Sequence, residues 1–195
     1  MMRLETERLI IRNWEDRDRE LFPRINSDDE VMRFFPFRRS RAEADTFLDR
    51  IRAENEARGY GFSALELKES GACIGFAGLH ADDVAPSRPA GTVEIGWRLA
   101  PEFWGKGYVS EAAEALLAFG FEELGLNEVI SFAVWNNERS TAVMRRIGMR
   151  AEPEGDFDHP RVPDTHTQLK RHVFYSRKRD DWAKRRGDSA LDQHA

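Results

Sequence analysis

Two glycines that flank a lysine form the segment whose residue types and spacing point most directly to chemistry. Gly105 and Gly107 enclose Lys106, follow a predicted strand and precede a predicted helix that begins at Ser110. Glycine adopts positive φ angles without strain and carries no Cβ to block an anion. The N–H groups of this turn and of the helix N-terminus would point to one place, which suits phosphate oxygens. A plain turn before a helix has the same pattern, so this segment alone leaves both interpretations open.

Two other kinds of phosphate-binding motif are excluded by the same residues. A P-loop needs a glycine five residues before its lysine and a serine or threonine after it, but these positions hold Pro101 and Gly107. The dinucleotide fingerprint needs a third small residue, where Ser110 is a poor match. It also needs an acidic residue at the end of the next strand, and the segment 131–135 contains none. A phosphate site at this turn would therefore be of another kind.

The elements that must position this turn are strands and helices in mixed order. Ser40 and Glu43 form a capping box, and Gly59 ends the apolar repeat that follows. The predicted strands are 4–14, 62–68, 72–79, 92–99, 129–135 and 171–177, and the predicted helices are 18–27, 40–58, 110–124 and 140–147. With no repeat and no linker, this order predicts one α+β domain over 1–178, in which helices lie on the faces of a sheet. A polar, flexible tail is expected over 179–195.

Composition and charge exclude several classes of protein. Of the 195 residues, 41% are hydrophobic and 33% are charged, a balance typical of a globular domain. No apolar run approaches the roughly 20 residues of a membrane span, and a net charge of −5 gives no basic excess for nucleic acid. We therefore predict neither a membrane nor a nucleic-acid partner, and expect the basic residues at 177–186 to belong to a solvated tail. Cys73 is the only cysteine, which agrees with a cytoplasmic protein.

Two blocks of residues, separated by one predicted strand, resemble the GNAT superfamily of N-acetyltransferases. The first block covers 93–99 and 103–113, around the glycine turn. The second is the Asn-x-x-Ser helix start and the residues that follow it, at 137–149. Within the superfamily, the chain is most similar to the branch of ribosomal-protein N-acetyltransferases (RimJ/RimL-like). The resemblance extends over residues 3–178.

The resemblance implies a fold, a cofactor and a set of binding residues. The implied fold is a mixed, mostly antiparallel sheet with helices on both faces and a splay between the fourth strand (92–99) and the fifth (129–135), where acetyl-CoA enters. The fourth strand would pair with the pantetheine arm, the turn amides would hold the pyrophosphate, Ser110 would cap the helix, and Asn137 would bind near the sulfur. The implied binding residues are Trp97, Arg98, Leu99, Trp104, Gly105, Lys106, Gly107, Tyr108, Val109, Ser110 and Asn137.

The resemblance also implies direct attack of an amine on the acetyl thioester. Glu94 is the candidate base, acting directly or through water, and a solvent-facing strand glutamate is its alternative interpretation. A backbone N–H of the fourth strand would stabilise the oxyanion. Many members of the superfamily protonate the departing thiolate with a tyrosine, but that position is approximately Met144 here. Ser140 is the nearest replacement, with helix capping as its alternative role.

Histidines and aromatic residues outside the two blocks are candidates for an acceptor pocket. His159, His166 and His172 share one region, but neither their spacing nor a nearby cysteine fits a metal site, so we predict none. The loop 156–172 is expected to line the pocket, with plain surface as the alternative. The opposite wall would be formed by aromatic residues that otherwise belong to the core: Trp14, Phe34, Phe35 and Phe37.

These features predict an acetyl-CoA-dependent N-acetyltransferase whose acceptor is a primary amine, either a protein N-terminus or a small molecule. The alternative is a module of the same fold that binds acyl-CoA without efficient catalysis. It is favoured by the missing tyrosine and by Val109, which is bulkier than the residue expected there. Trp104 replaces the usual Gln or Arg but suits this branch. Homodimers are frequent in the superfamily, but the sequence shows no interface. The sequence does not identify the acceptor, because enzymes with different acceptors share this fold and loop.

Overall fold

Strands and helices follow one another along residues 2–184, the part of the chain that the computed structural model describes. The strands are β1 (Leu4–Glu5), β2 (Leu9–Arg12), β3 (Phe62–Leu67), β4 (Cys73–Asp82), β5 (Thr92–Leu99), β6 (Glu128–Val134), β7 (Arg150–Ala151), β8 (Phe157–Asp158) and β9 (Arg171–Lys178). The α-helices are α1 (Leu21–Ser27), α2 (Arg41–Arg58), α3 (Tyr108–Glu122) and α4 (Glu138–Arg146). Short 3₁₀ helices cover Asp16–Glu20, Pro101–Phe103, Pro153–Gly155 and Asp164–Leu169. Among the described residues, no helix has both the length and the apolar character needed to cross a membrane.

The described strands form one mixed sheet, in which β5 and β6 are the parallel neighbours. The order across the sheet is β1-β2-β3-β4-β5-β6-β9-β7, and β8 pairs with β9. The other neighbouring strands are antiparallel. β5 and β6 share a single register pair, Glu94 with Ile130, and then diverge. The predicted α+β fold, with its splay between the fourth and fifth predicted strands, is confirmed.

Apolar side chains of β5, α3 and α4 form the larger core. Val93, Ile95 and Leu99 are 6%, 0% and 3% exposed, because alternate residues of β5 point to this face. They pack against α3, where apolar residues recur at spacings of three and four, and against Met144 of α4. Full burial of each such side chain contributes about 1.5–3 kcal/mol. α3 and α4 therefore cover one face of the sheet, which we call the α3 face.

The opposite face is covered by α1 and α2, and we call it the α1 face. Trp14 and Phe22 meet edge to face there, with ring centroids 4.9 Å apart. α2 begins at the capping box that Ser40 and Glu43 form, and it ends at Gly59, whose φ is 81°. Both ends agree with the prediction, because each has a side-chain or glycine signal in the sequence itself.

A buried ionic network joins the α1 layer to the sheet. The Nη1 atom of Arg12 donates to Oδ2 of Asp18 at 2.7 Å, and its Nε donates to Oε2 of Glu66 at 2.6 Å. The side chains of Arg12 and Asp18 are 6% and 1% exposed. Asp18 lies in the 3₁₀ helix before α1, and Glu66 lies in β3. Arg12 of β2 therefore connects three elements through charges that water does not reach.

The predicted bounds differ from the structure where elements are short. The predicted strand 4–14 is a small hairpin in which β1 and β2 pair with each other. β8, which lies in the region predicted as a loop, and β7, which precedes that region, both pair with β9. Two-residue strands are too short for a hydrophobic period to reveal them. Residues 179–184, assigned above to the tail, are helical, and Trp182 packs against Phe121, whereas 185–195 lies outside the described residues.

The basic residues at the end of β9 correct the expectation of a solvated tail. Arg177 is 4% exposed, and its guanidinium donates to the carbonyl of Ile147. The Nε atom of Arg179 donates to the carbonyl of Leu126 at 2.7 Å. Arginine donors satisfy carbonyl groups at the ends of helices, and this use is invisible in a sequence because the acceptors are distant. The last basic residues of the cluster, 185–186, lie outside the described residues.

Candidate active site

The glycine turn places a row of free backbone N–H groups at the start of α3. Gly105 and Gly107 have φ angles of 73° and 81°, a conformation that glycine adopts without strain. In the described part of the chain, no backbone carbonyl accepts from the N–H groups of residues 105–110, and the first helical bond runs from Glu111 to Gly107 at 3.1 Å. A Cβ at Gly105 would meet no atom within 4 Å, so the turn is open on that side. Such a row of amides fits the pyrophosphate of CoA.

The start of α3 corrects the role expected for Ser110. The helix begins at Tyr108, two residues before the predicted start, and Gly107 is its N-cap residue. Ser110 therefore lies in the first turn and does not cap the helix, although its N–H belongs to the free row. Its hydroxyl accepts a hydrogen bond from Nη1 of Arg146 at 3.1 Å. The sequence predicted that the helix starts at Ser110, because a serine is a common N-cap residue and a glycine cap carries no side-chain signal.

Positive side chains from distant parts of the chain surround this turn. The Cζ atom of Arg139 lies 4.3 Å from the ring centroid of Trp104, and Arg8 donates to the carbonyl of Lys106 at 3.0 Å. Arg8 also pairs with Glu111 at 2.6 Å, so the acidic residue of the first turn is neutralised. Arg139 is likewise paired, with Glu30 at 3.1 Å. The positive charge beside the amides therefore comes from Lys106 and Arg146, which form no ion pair in the described part of the chain. Such a charge favours an anion. Sequence reasoning missed Arg8, Arg139 and Arg146, because only folding brings them to the turn.

β5 and β6 separate beyond their register pair and leave a gap between them. The hydroxyl of Ser131 donates to the carbonyl of Ile95 at 2.9 Å, so a side chain bridges the strands where backbone pairing ends. Farther along β5, Nε1 of Trp104 donates to the carbonyl of Leu99 at 2.9 Å. Because the direction of backbone groups alternates along a strand, the N–H and C=O of Trp97 face the same gap. An extended chain in the gap can pair with Trp97.

Arg98 has a different position from its neighbours on β5. The alternation turns its backbone groups towards β4, where Phe76 is its register partner. Its side chain lies on the α1 face, and its Nη1 donates to Oδ1 of Asn26 at 2.5 Å. Trp97 and Leu99 therefore stay at the gap, whereas Arg98 offers no backbone group to a chain bound there.

Asn137 and Ser140 lie together at the N-terminus of α4. The Oδ1 atom of Asn137 accepts from the backbone N–H of Ser140 at 3.3 Å, so Asn137 is the N-cap. The capping alternative for Ser140 is wrong, and its hydroxyl is not needed for the helix start. Met144, at the position where the resemblance places a tyrosine, is 1% exposed within the core.

Glu94 lies on the α1 face, at the point where β5 and β6 begin to separate. Its register partner is His80, whose ring stacks on Phe62 with 5.3 Å between centroids. The ring of Phe62 covers Gly96, because a Cβ there would lie 3.1 Å from Cε1 of Phe62 and 3.9 Å from Oε1 of Glu94. Glu94 is partly exposed, whereas Ile95 is fully buried on the α3 face. The carboxylate is therefore set among rings beside the gap.

The region after α4 brings histidines and aromatic rings together beside β6. The rings of Phe132, Phe157, His159 and His172 form a cluster, in which the centroids of the two histidines are 4.8 Å apart. His172 is 8% exposed, and burial lowers its pKa below that of a free histidine. Within residues 2–184, no group of histidine, cysteine and acidic side chains is arranged to hold a metal ion. This cluster lies on the same face as Glu94, as the alternation of β6 requires.

The aromatic residues predicted as an acceptor wall divide between two environments. Trp14 is 2% exposed, and its indole donates to a backbone carbonyl, so it belongs to the core. Phe34 packs against Val134 at the end of β6, together with residues of the 156–172 region. Phe35 and Phe37 are 36% and 41% exposed. The loop between α1 and α2 therefore carries apolar rings to the edge of the gap.

Known proteins resemble this chain in sequence and in structure. A family model described as an acetyltransferase (GNAT) domain matches residues 8–150. The uncharacterised N-acetyltransferase YnaD of Bacillus subtilis is 33% identical over 160 residues, which cover 77% of this chain and 84% of YnaD. YdaF of Bacillus subtilis, named as a "putative ribosomal N-acetyltransferase", is 31% identical over 180 residues, covering 90% of this chain and 94% of YdaF. A GNAT-family acetyltransferase from Bacillus anthracis superposes with a TM-score of 0.76 at 28% identity, covering 92% of this chain and 99% of that one.

Proposed function

The chain belongs to the acetyltransferase (GNAT) family, and on this premise we propose that it moves the acetyl group of acetyl-CoA to a primary amine by direct attack. The observation that carries this proposal is the row of free N–H groups at residues 105–110, beside the gap between β5 and β6. A helix N-terminus with free amides binds phosphate groups, and the exposed backbone of β5 can pair with an extended arm. These two features lie next to each other, as a CoA ester requires.

The cofactor would lie from the start of α3 into the gap. Trp97 and Leu99 would pair with the pantetheine arm, and Asn137 would donate through its amide nitrogen near the sulfur, because its Oδ1 caps α4. Val109 packs its side chain against the core and leaves its N–H in the free row, so its bulk does not obstruct the turn. The pyrophosphate would contact the segment made of Trp104, Gly105, Lys106, Gly107, Tyr108, Val109 and Ser110.

The reaction requires one proton to leave the amine and one to reach the departing thiolate. Glu94 would take the proton of the attacking amine, directly or through water. The nitrogen bonds to the acetyl carbon, the carbon–sulfur bond breaks, and the electron pair leaves with the sulfur. The N–H of Trp97 would stabilise the oxyanion from the gap. Ser140 would stabilise the thiolate by donating a hydrogen bond, and the thiolate then takes its proton from water, because a serine hydroxyl is a weaker acid than a phenol.

The acceptor would approach from the α1 face. The α3 face is closed beside the gap by the packed core of α3 and α4. On the α1 face, Glu94 is partly exposed, and the exposed ring of Phe35 lies against the guanidinium of Arg98 on β5. YdaF is named as a "putative ribosomal N-acetyltransferase", and this similarity supports a protein N-terminus as the acceptor. A small-molecule amine is the second acceptor class.

Isothermal titration with acetyl-CoA, followed by an assay of thiol release, tests the proposed function. We expect acetyl-CoA to bind, and at least one member of a panel of peptides and small amines to release CoA above the rate without acceptor. The absence of binding at millimolar acetyl-CoA would contradict the proposal. Binding without thiol release across the panel would favour a module that holds acyl-CoA without catalysis.

Substitution of Ser140 distinguishes a catalytic protein from a module that only binds acyl-CoA. We expect Ser140→Ala to lower kcat about tenfold, which corresponds to about 1.4 kcal/mol of transition-state stabilisation. The helix should stay intact, because Asn137 accepts only the backbone N–H of Ser140. The affinity for acetyl-CoA serves as the control and should not change. An unchanged kcat would exclude the assigned role.

A further inference from the structure

Two arginines of the α1 face lack a direct ion pair in the described part of the chain, although Glu43 acts on one of them, Arg39, at longer range. The Nε atoms of Arg39 and Arg98 are buried without a hydrogen-bond partner, and neither side chain forms an ion pair with a carboxylate in the described part of the chain. Their neighbours in sequence differ, because Arg38 and Arg41 pair with aspartates at 2.9 Å and 2.8 Å. A guanidinium nitrogen that is buried without an acceptor costs free energy. On the α1 face, among the described residues, Arg39 and Arg98 are the arginines that carry such a nitrogen.

Polar and aromatic contacts fix the side chain of Arg98. Its Nη1 donates to Oδ1 of Asn26 at 2.5 Å, and Asn26 is fully buried and donates to the carbonyl of Phe22 at 2.7 Å. The Cζ atom of Arg98 lies 4.3 Å from the ring centroid of Phe35 and 5.3 Å from that of Phe76. Burial, and then the charge of Arg39, lowers the pKa of Arg98 to about 9. A guanidinium held in this way needs little ordering before it binds an anion.

Arg39 adds a second positive charge beside Arg98. Its backbone N–H donates to the carbonyl of Asn26 at 3.0 Å, so the same asparagine contacts both arginines. Its Cζ atom lies 4.4 Å from the ring centroid of Phe47 and 4.8 Å from that of Phe37. Burial also lowers the pKa of Arg39. The two cations repel each other across an apolar surrounding, and an anion placed near both would remove that repulsion.

We propose that Arg98, assisted by Arg39, binds an anionic group of the acceptor, so that the substrate is an amine that also carries a carboxylate or a phosphate. The proposal rests on the proposed function, because it assumes that the amine is acetylated at the gap between β5 and β6. A planar guanidinium binds the oxygens of either anion through paired N–H groups. An amine without an anionic group would meet the positive charge of Arg98, which has no carboxylate partner in the described part of the chain.

The positions on β5 set the distance between the two ends of the acceptor. Glu94 and Arg98 lie on one face of the strand with Gly96 between them. Four residues of a strand span about 13 Å between their Cα atoms. The anionic group therefore lies several bonds from the amine, farther than the carboxylate of a free α-amino acid.

Matched acceptors that differ only in charge test this inference. The first series consists of ω-amino acids of increasing chain length, the second of their neutral carboxamides, and the third of ω-aminoalkyl phosphates. The variants are Arg98→Gln, which removes the charge, and Arg98→Lys, which keeps it without the planar fork. Arg41→Gln is the matched control, because it removes an arginine that is paired with aspartate on the nearby α2. The carboxylate and phosphate series decide which anion the site prefers.

The expected result is a preference that depends on Arg98. For the wild-type protein, kcat/KM should be at least tenfold higher for an anionic acceptor than for its neutral counterpart. Arg98→Gln should abolish the preference by raising KM for the anionic acceptor alone, Arg98→Lys should retain part of it, and Arg41→Gln should not change it. No preference in the wild-type protein, or an equal loss for both acceptors in Arg98→Gln, would overturn the inference.

A binding measurement distinguishes failure of this inference from failure of the proposed function. If acetyl-CoA binds but no amine is acetylated, the same acceptors are titrated against the CoA-bound protein. The anion site would be supported, even without catalysis, if the anionic acceptor binds more tightly than the neutral one and Arg98→Gln removes this difference in affinity. Equal binding of anionic and neutral acceptors would overturn it. Unchanged acetyl-CoA affinity in Arg98→Gln shows that the variant is folded.

Discussion

The α3 side of the gap and its α1 side differ in the kind of polar group that they offer. On the α3 side, the groups are backbone amides at residues 105–110 and the backbone of Trp97, with positive side chains at the rim. On the α1 side, the groups are side chains: Glu94, Arg98 and His172, each set among aromatic rings. Backbone groups can bind any CoA ester, because every such ester has the same pyrophosphate and arm. Charged side chains of particular types select one acceptor among many.

The two sides are also stabilised differently. Apolar packing of α3 and α4 supports the α3 side, where the buried guanidinium of Arg177 donates to the carbonyl of Ile147. The α1 side instead depends on buried polar contacts, of which the network of Arg12 and the Asn26–Arg98 contact are examples. Substitution of a single polar residue should therefore affect the α1 side more strongly. The following predictions test this comparison.

The largest expected effect is on stability, at Arg12. Arg12→Met should lower the free energy of unfolding by about 3–5 kcal/mol, because it leaves the buried carboxylate of Asp18 without a counter-charge and Glu66 with Arg17 alone. Arg8→Met, which breaks the pair with Glu111 at an arginine that is 43% exposed, should cost at most about 1 kcal/mol. Urea denaturation measures both values. Equal losses in the two variants would contradict the difference between the sides.

The next effect is on turnover, at Glu94. Glu94→Gln should lower kcat at least tenfold, or about 1.4 kcal/mol, because the amide cannot accept a proton from the amine. The Kd of acetyl-CoA should stay unchanged, because Glu94 lies on the α1 face and the cofactor groups face the gap. Steady-state kinetics measures kcat, and isothermal titration measures the Kd of acetyl-CoA. Normal turnover would assign Glu94 as a partly exposed glutamate without a catalytic role.

A smaller effect is expected on cofactor affinity, at Arg146. Arg146→Gln should raise the KM of acetyl-CoA about fivefold, close to 1 kcal/mol, because it removes a charge that lies beside the free amides. Added salt should reduce the difference from wild type, since the contact is exposed to solvent. Arg145→Gln is the matched control, because Arg145 points to the hydroxyl of Tyr175 instead. A similar KM change in both variants would exclude a specific role for Arg146.

The smallest expected effect is a pH dependence of stability, at His172. Burial lowers its pKa in the folded state, so below about pH 6.5 the unfolded chain binds a proton that the folded chain does not. The free energy of unfolding should therefore decrease as the pH falls from 7 towards 5. His172→Phe should reduce this slope, by about 1 kcal/mol or less over the range. Identical slopes for both proteins, measured by urea denaturation at each pH, would contradict the assignment.

The sequence predicted the α3 side better than the α1 side for a physical reason. The glycine turn, the strand at 92–99 and the helix that follows are contiguous, so the amide row is encoded in one segment. The errors of the prediction on this side were local: for example, α3 begins at Tyr108 and not at the predicted Ser110. On the α1 side, Arg98 meets Asn26 across 72 positions of sequence, and no spacing rule reveals such a contact. The alternation of β5 placed Glu94 correctly opposite Ile95, but only the fold showed what surrounds it.

A crystal structure of the protein with CoA tests the division between the two sides most directly. We predict that the pyrophosphate accepts hydrogen bonds from the N–H groups of residues 105–110 and that the pantetheine arm pairs with Trp97. The thiol should lie near Asn137, and the side chain of Arg98 should remain free of the cofactor on the α1 face. A pyrophosphate bound by Arg98 and Arg39, with the amides of residues 105–110 left unpaired, would contradict this account.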